Sequence, residues 1–237
     1  MNKNQNTLQK PSQEIINRYN ELNSAATKNY DELFSLIDSY DWFDEIFEEN
    51  GKKGMKNIKG EVVIPAIYDG FSTIESYLRP SLPVVAIKDG LCGLVKRDGK
   101  GTPMAEFIHS YMERVFDTPV YIAEKPGDDK HFALSVMGVV ITPYEIEKYY
   151  QPSDGCMIVE ANGKFGILAM DQGMVYVSPE YDEIHGQGYG DDFLFFKDGV
   201  EGYVTLNGEF ISKERYTSLS LEQQDEYMEI GFVGSCD

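Results

Sequence analysis

Two hydrophobic periods divide the chain. Up to about residue 50, apolar positions recur with the ~3.6-residue period of a helix, and beyond it they alternate with the period near 2 of a half-buried strand. Lys10-Pro11-Ser12-Gln13-Glu14 reads as a helix start, with proline near the first turn and an early acid. Ile15, Ile16, Tyr19, Leu22 and Ala26 follow at helical spacing. The spacing predicts a second helix from Asn29 to Glu49, with Tyr30, Leu33, Phe34, Ile37, Tyr40, Ile46 and Phe47 on one stripe and acids over the rest. Gly51 reads as its C-terminal stop. The two make a helical hairpin, with Trp42 on the second helix and Leu33, Phe34 and Ile37 expected to dock on the first β-unit.

After Gly51, short β-branched and aromatic runs are separated by Asp89-Gly90, Asp98-Gly99, Asn162-Gly163, Asp198-Gly199 and Asn207-Gly208. Such pairs accept the positive φ angles of a tight hairpin. The runs also repeat. Lys53 to Asp69 is one copy; Cys92-Gly93-Leu94-Val95 to Phe107 is a second. Phe165-Gly166-Ile167-Leu168 through Ser178-Pro179-Glu180-Tyr181-Asp182 is a clear later copy, and Glu201-Gly202-Tyr203-Val204 to Tyr216 is the last. Between them, Phe132-Ala133-Leu134 to Thr142-Pro143-Tyr144 is a worn copy whose glycine is replaced. Five units at a spacing of roughly 33–40 residues suit one supersecondary element each.

Each full unit reads as a three-stranded meander. The fourth is predicted at Met157–Ala161, Lys164–Met170 and Gly173–Val177, the fifth at Phe193–Lys197, Val200–Leu206 and Glu209–Ser212. The first unit is expected to lack its opening strand, because the acidic helix occupies that place. Gly166 and Gly202 are expected mid-strand, where another backbone or a large side chain comes close. Ser220-Leu221-Glu222-Gln223 has the form of a capping box and predicts a short C-terminal helix. The fold class is therefore mainly β, with tandem three-stranded meanders in an open twisted array between a helical hairpin and a short helix. A closed, propeller-like arrangement is the alternative. The divisions are residues 1–50 (acidic helical cap), 51–216 (five β-repeats) and 217–237 (C-terminal helix and tail).

The repeated pattern resembles the WG repeat family of bacterial proteins, whose units run K-W-G-(I/F)-(I/V)-D-x-x-G-x-x-V-I-P-x-x-Y-D. The resemblance extends from Lys52 to Tyr216. It departs at the aromatic before the repeat glycine, kept as Phe165 and Phe132 but replaced by Lys53, Cys92 and Glu201. The resemblance implies an interaction repeat and supplies no catalytic residues.

Charge changes the picture at the ends. Lys and Arg total 21 against 40 Asp and Glu, a net charge of −19. Direct binding to a phosphate backbone, which needs clustered cations, is not expected. Asn29–Asn50 carries eight acids and Thr217–Asp237 five, neither with any Lys or Arg. On the predicted second helix Asp41, Asp44, Glu45, Glu48 and Glu49 share one face beside Trp42, and these six residues are the candidate binding site. Like charges at that spacing cost a helix a few tenths of a kcal/mol per pair, a cost that a basic partner would relieve.

Little else points to chemistry. His109, His131 and His185 stand outside any H-x-x-H frame, and neither a G-x-S-x-G elbow nor a Walker loop is present. The glycines of His185–Asp192 lack a following Lys-Ser/Thr and precede a strand. Asp128-Asp129 reads as a solvated turn and Tyr149-Tyr150 as strand packing. Cys92, Cys156 and Cys236 have no C-x-x-C spacing, which fits reduced thiols, with Cys92 a small core residue. No apolar run reaches the ~20 residues of a membrane span, and Met1–Asn6 lacks the apolar core of a secretory signal, so the cytoplasm is the expected compartment. The expectation is a non-enzymatic protein-interaction scaffold without cofactor or metal. The alternative is an acidic inhibitor or immunity-type protein that neutralises a basic toxin or nucleic-acid-binding protein by charge mimicry.

Overall fold

Ser12 starts the first helix, α1 (Gln13–Ser24), its hydroxyl oxygen accepting the Ile15 N–H at 3.4 Å. This computed structural model of the chain describes residues 8–25, 29–74, 78–115, 119–153, 156–169, 176–185, 193–205 and 208–230. Asn29 caps α2 (Tyr30–Ser39) by accepting the Glu32 N–H. The Arg18 guanidinium grips the Glu32 carboxylate through two bonds of 2.7 and 2.8 Å and ties the two helices together.

The second helix is half as long as expected. It ends at Ser39, Tyr40 is extended, and the chain enters β1 (Glu45–Glu49). The cause is Asn50-Gly51, whose φ angles of +53° and +74° make a hairpin turn where a helix stop was expected. The turn pairs β1 with β2 (Lys52–Lys56), setting Glu45 opposite Lys56, Glu48 opposite Lys53 and Glu49 opposite Lys52. Acids that would repel along a helix face opposite charges across a ladder instead, each such pair contributing roughly 0.2–1 kcal/mol. The first unit thus has its own opening strand, and the boundary expected after residue 50 falls inside a hairpin. Of the residues expected to dock on that unit, Leu33 is buried but Phe34 is exposed.

The chain is mainly β, as the pattern predicts. Among the described residues seventeen strands form five antiparallel sheets of three or four strands in meander order, and none closes on itself. The first sheet is completed by β3 (Val62–Tyr68). The second holds β4 (Gly70–Phe71), β5 (Val84–Lys88) and β6 (Leu91–Val95); the third holds β7 (Tyr111–Arg114), β8 (Val120–Glu124) and β9 (His131–Ser135). The fourth has four strands, β10 (Lys148–Ser153), β11 (Cys156–Ala161), β12 (Lys164–Ala169) and β13 (Tyr176–Tyr181). So has the fifth, with β14 (Glu183–His185), β15 (Leu194–Lys197), β16 (Val200–Val204) and β17 (Phe210–Ser212). The strand beyond the expected three comes before them: the six-residue β10, which follows Tyr144-Glu145, and the three-residue β14, which follows Tyr181-Asp182. Met170 and Gly173–Val175 of the expected strands, and Leu206 and Asn207, lie outside the described residues, as do Gly186–Asp192 of the glycine-rich stretch. Two short helices follow, α3 (Lys213–Ser218) and α4 (Leu221–Ile230). The capping box forms, with the Gln223 N–H donating to Ser220 Oγ at 3.3 Å and the Ser220 N–H to Gln223 Oε1 at 3.1 Å.

Turn chemistry and the repeat glycines explain why these runs become meanders. Asp89-Gly90, Asn162-Gly163 and Asp198-Gly199 have positive φ at both residues. Gly166 and Gly202 sit mid-strand, and a Cβ on them would lie 2.4 Å from the Val177 carbonyl oxygen and 2.3 Å from that of Ile211. Gly54 and Gly93 stand in the same relation to Ile64 and Ala105, at 2.6 and 2.9 Å. In the first, fourth and fifth sheets the next strand, and in the second the segment at Ala105, passes the glycine so closely that no room is left for a side chain.

The chain divides into two units, Met1–Phe107 and Ile108–Asp237. In the first, the core lies between its two sheets and is built on Met55, Ile64, Tyr68, Val84, Ala86 and Val95. In the second unit one core joins the third and fourth sheets through Val120, Ile122, Ala133, Met157, Val159 and Leu168. Another joins the fourth and fifth through Ile158, Ile167, Tyr181, Phe195 and Val204. Cys92 is buried, as expected. No described helix is long and apolar enough to cross a membrane.

Candidate functional site

The six residues singled out by sequence do not share a helix face. Asp44 is buried, its carboxylate held by the Arg97 guanidinium at 2.7 and 2.8 Å, and both side chains are almost wholly out of solvent. Burial pushes the Asp44 carboxyl above its ordinary value, and Arg97 opposes that rise. Asp41 pairs with Lys10 at 2.8 Å, and the same ammonium donates to the Phe43 carbonyl at 2.5 Å. Trp42 lies beyond the helix and is buried, its Nε1–H donating to the Leu36 carbonyl at 3.4 Å and its ring 5.1 Å from that of Tyr19. Glu45, Glu48 and Glu49 belong to β1 and face lysines across the ladder. Asp41 and Asp44 are thus engaged by the chain's own cations, whereas Glu45, Glu48 and Glu49 are exposed and only face lysines in register.

A second set of carboxylates is absorbed by the repeat itself. Asp69, after Tyr68, takes the Lys52 ammonium on one oxygen and accepts the Asp89 N–H on the other at 2.6 Å. Asp182, after Tyr181, does the same with Lys164 and the Asp198 N–H, the latter at 2.7 Å. Each aspartate clamps the hairpin of its own unit to the turn of the next. The lysine, followed by the backbone N–H, holds both carboxyls below the ordinary range. In the third unit Glu145 pairs with Lys130 at 2.9 Å, while Glu147 accepts the Gly163 N–H at 3.3 Å. A single aspartate's two tasks are there divided between two longer acids.

That third unit collects the remaining polar chemistry. Tyr111, Glu124 and His131 stand side by side across β7, β8 and β9. His131 Nε2 lies 2.6 Å from Glu124 Oε1, and the His131 ring meets Tyr149 edge-on at 5.0 Å. Glu113 accepts the hydroxyls of Tyr111 at 2.5 Å and Tyr149 at 2.8 Å. Burial and then Glu113 push the Tyr111 hydroxyl up to about 12 and raise that of Tyr149 as well. Both phenols therefore stay protonated and act as donors. Tyr149, expected as simple strand packing, is a hydrogen-bonding member of this network, while Tyr150 is exposed.

Beside the network, a cavity of about 240 Å³ is lined by Lys125, Lys130, Phe132, Val140, Pro143 and Tyr144 among others. The Lys125 ammonium stands 5.5 Å from the centre of the Phe132 ring, and the His109 ring lies 5.3 Å from it. Burial, and secondarily Lys125, lower the pKa of His109, so it is neutral. Its Nδ1 is buried without a hydrogen-bond partner among the described residues. The cavity wall continues into a hairpin tip where Met137, Val139 and Val140 are 60%, 60% and 54% exposed. The Ser135 hydroxyl oxygen accepts the N–H groups of Met137 and Val139, and the Ser135 carbonyl accepts that of Gly138, so the tip is a tied turn.

Sequence reasoning passed over this region because its copy of the repeat is worn. A signal was nonetheless present. Counting outward from the Gly127-Asp128 turn sets Glu124 opposite His131, and Val136-Met137-Gly138-Val139-Val140 stands where other units carry polar turns. Among the described residues no group of three or more His, Cys, Asp or Glu is placed to hold a metal ion. No family model matches the chain, and no curated protein matches it closely enough to count as a relative.

Proposed function

We propose that the chain is a non-enzymatic protein-interaction scaffold of WG-like repeats, working in the cytoplasm, with the third unit as its docking element. The observation that carries this reading is the hairpin tip. Three neighbouring apolar side chains stand in solvent on a turn that hydrogen bonds hold in place. Exposed apolar groups of this kind cost solubility unless a partner covers them. The four better-kept units turn their glycines to packing, the first and fourth their Tyr-Asp pairs as well, and the worn unit is the one that has shed the glycine and extended an apolar tip. The inhibitor reading needed a free carboxylate face, and Asp41 and Asp44 are already neutralised within the chain.

The test is affinity capture from the native host with the tagged chain and its Val139→Asp variant. A partner retained by the unchanged protein and lost by Val139→Asp, at equal melting temperature, supports the reading. Equal retention by both overturns it.

A further inference from the structure

The cavity beside the hairpin tip adds a chemical preference, an inference that rests on the docking reading above. We propose that it is the specificity pocket of the docking face, receiving an apolar side chain of an extended partner segment whose neighbouring residue is Asp or Glu. Size sets the first half. A cavity of about 240 Å³ is large enough to take an apolar side chain of leucine to phenylalanine size. Phe132, Val140 and Pro143 supply an apolar lining, and Val140 belongs to the exposed tip, so the pocket and the tip form one continuous surface.

Charge sets the second half. Of the two lysines at the rim, Lys130 is committed to Glu145 at 2.9 Å. Asp128 is exposed at the same rim, with one oxygen accepting the Lys130 N–H of its own loop at 3.1 Å. Lys125 makes no ion pair among the described residues; its ammonium rests over the Phe132 ring that lines the pocket. In a chain of net charge −19, a cation left without a carboxylate beside an apolar cavity is a place for an external one. His109, behind the same ring, is neutral and does not compete for it.

The probes are acetylated, amidated tetrapeptides titrated into the full isotope-labelled chain while the amide signals of Phe132, Val140 and Glu145 are followed. Gly-Leu-Asp-Gly is expected to bind, Gly-Leu-Asn-Gly about threefold more weakly, as befits a partly exposed ion pair, and Gly-Ala-Asp-Gly not at all. Lys125→Gln should level the first two peptides, and Lys125→Glu should transfer the preference to Gly-Leu-Lys-Gly. No shifts at Phe132 and Val140, or equal binding of the Asp and Asn peptides, would overturn the proposal. Self-association of the chain that Val139→Asp abolishes would also overturn it, by making a second copy the occupant. The captured partner separates the two readings. If it binds Lys125→Gln normally but not Val139→Asp, the docking face stands and the pocket's charge preference falls; if it binds both normally, the docking face falls.

Discussion

Replacing Gly166 by alanine introduces one methyl group at the most constrained point of the fourth meander. The new Cβ would lie 2.4 Å from the Val177 carbonyl oxygen, 2.8 Å from the Pro179 nitrogen and 2.9 Å from the Ser178 carbonyl carbon. All three are backbone atoms, so no side-chain rotation relieves the contact. Either β12 and β13 separate by several tenths of an ångström or their ladder slips at the irregularity between Phe165 and Ile167. Overpacking of this kind costs about 1–3 kcal/mol. Alanine returns about 0.4–1 kcal/mol by stiffening the unfolded chain. The net expectation is a loss of ~1–2 kcal/mol, which for a chain of this length lowers the melting temperature by about 2–8 °C. Gly70→Ala is the control, because its Cβ meets only Ile87 Cδ1 at an ordinary 3.7 Å and Gly70 has no positive φ. Scanning calorimetry of both variants beside the unchanged chain decides the matter. Gly166→Ala melting at or above the unchanged protein, or Gly70→Ala losing as much, would refute the crossing-strand account of the repeat glycine.

Arg97→Met should destabilise the chain by about 3–5 kcal/mol in urea unfolding, because it strands the buried Asp44 carboxylate, and Asp44→Leu combined with Arg97→Met should recover most of the loss. The Asp98 carboxyl, held down to about 2 by the Thr102 hydroxyl and by backbone N–H groups, should titrate near that value by carbon-detected NMR. Its folded pKa is lowered, so its contribution to stability is present above the ordinary 3.8 and is lost as pH falls from there through about 2; Thr102→Val should raise the titration midpoint. Asp69→Asn and Asp182→Asn should each flatten part of the acid limb of the stability curve for the same reason, since both carboxyls lie below their ordinary value in the folded chain.

Where the sequence carried a local, obligatory signal, it was legible. Asn162-Gly163 and Asp198-Gly199 demanded positive φ, Ser220 and Gln223 made a reciprocal cap, and Gly166 and Gly202 marked a close approach of backbone. The acidic segment misled because its spacing satisfied two periods at once. Glu45, Glu48 and Glu49 lie i, i+3 and i+4 on a helix, but Asn50-Gly51 is as strong a hairpin signal as the other five Asp-Gly and Asn-Gly pairs, and it overrides propensity by setting β1 in register with β2. Asp44 could not be found by any local rule, since its partner Arg97 is 53 residues away. The third-unit network was hidden for a related reason. Tyr111, Glu113, Glu124, His131 and Tyr149 come together only once three strands and the start of the next sheet are in register.

A repeat of this kind consumes its own chemistry. The first and fourth meanders use a glycine where the next strand passes, a turn that tolerates positive φ, and an aspartate that joins a lysine to the next turn. Residues used in that way are not available to a ligand, which is why abundant carboxylates say little about function here. A binding surface is therefore to be sought where a unit has abandoned the rule. The third unit replaces the glycine by Ala133, divides the aspartate's role between Glu145 and Glu147, and keeps its core through Ile122, Ala133 and Ile146. With packing secured by those substitutions, the hairpin after β9 is released from its structural task. There Met137, Val139 and Val140 reach into solvent, and in the turn before β9 Lys125 keeps a charge no neighbouring acid has claimed.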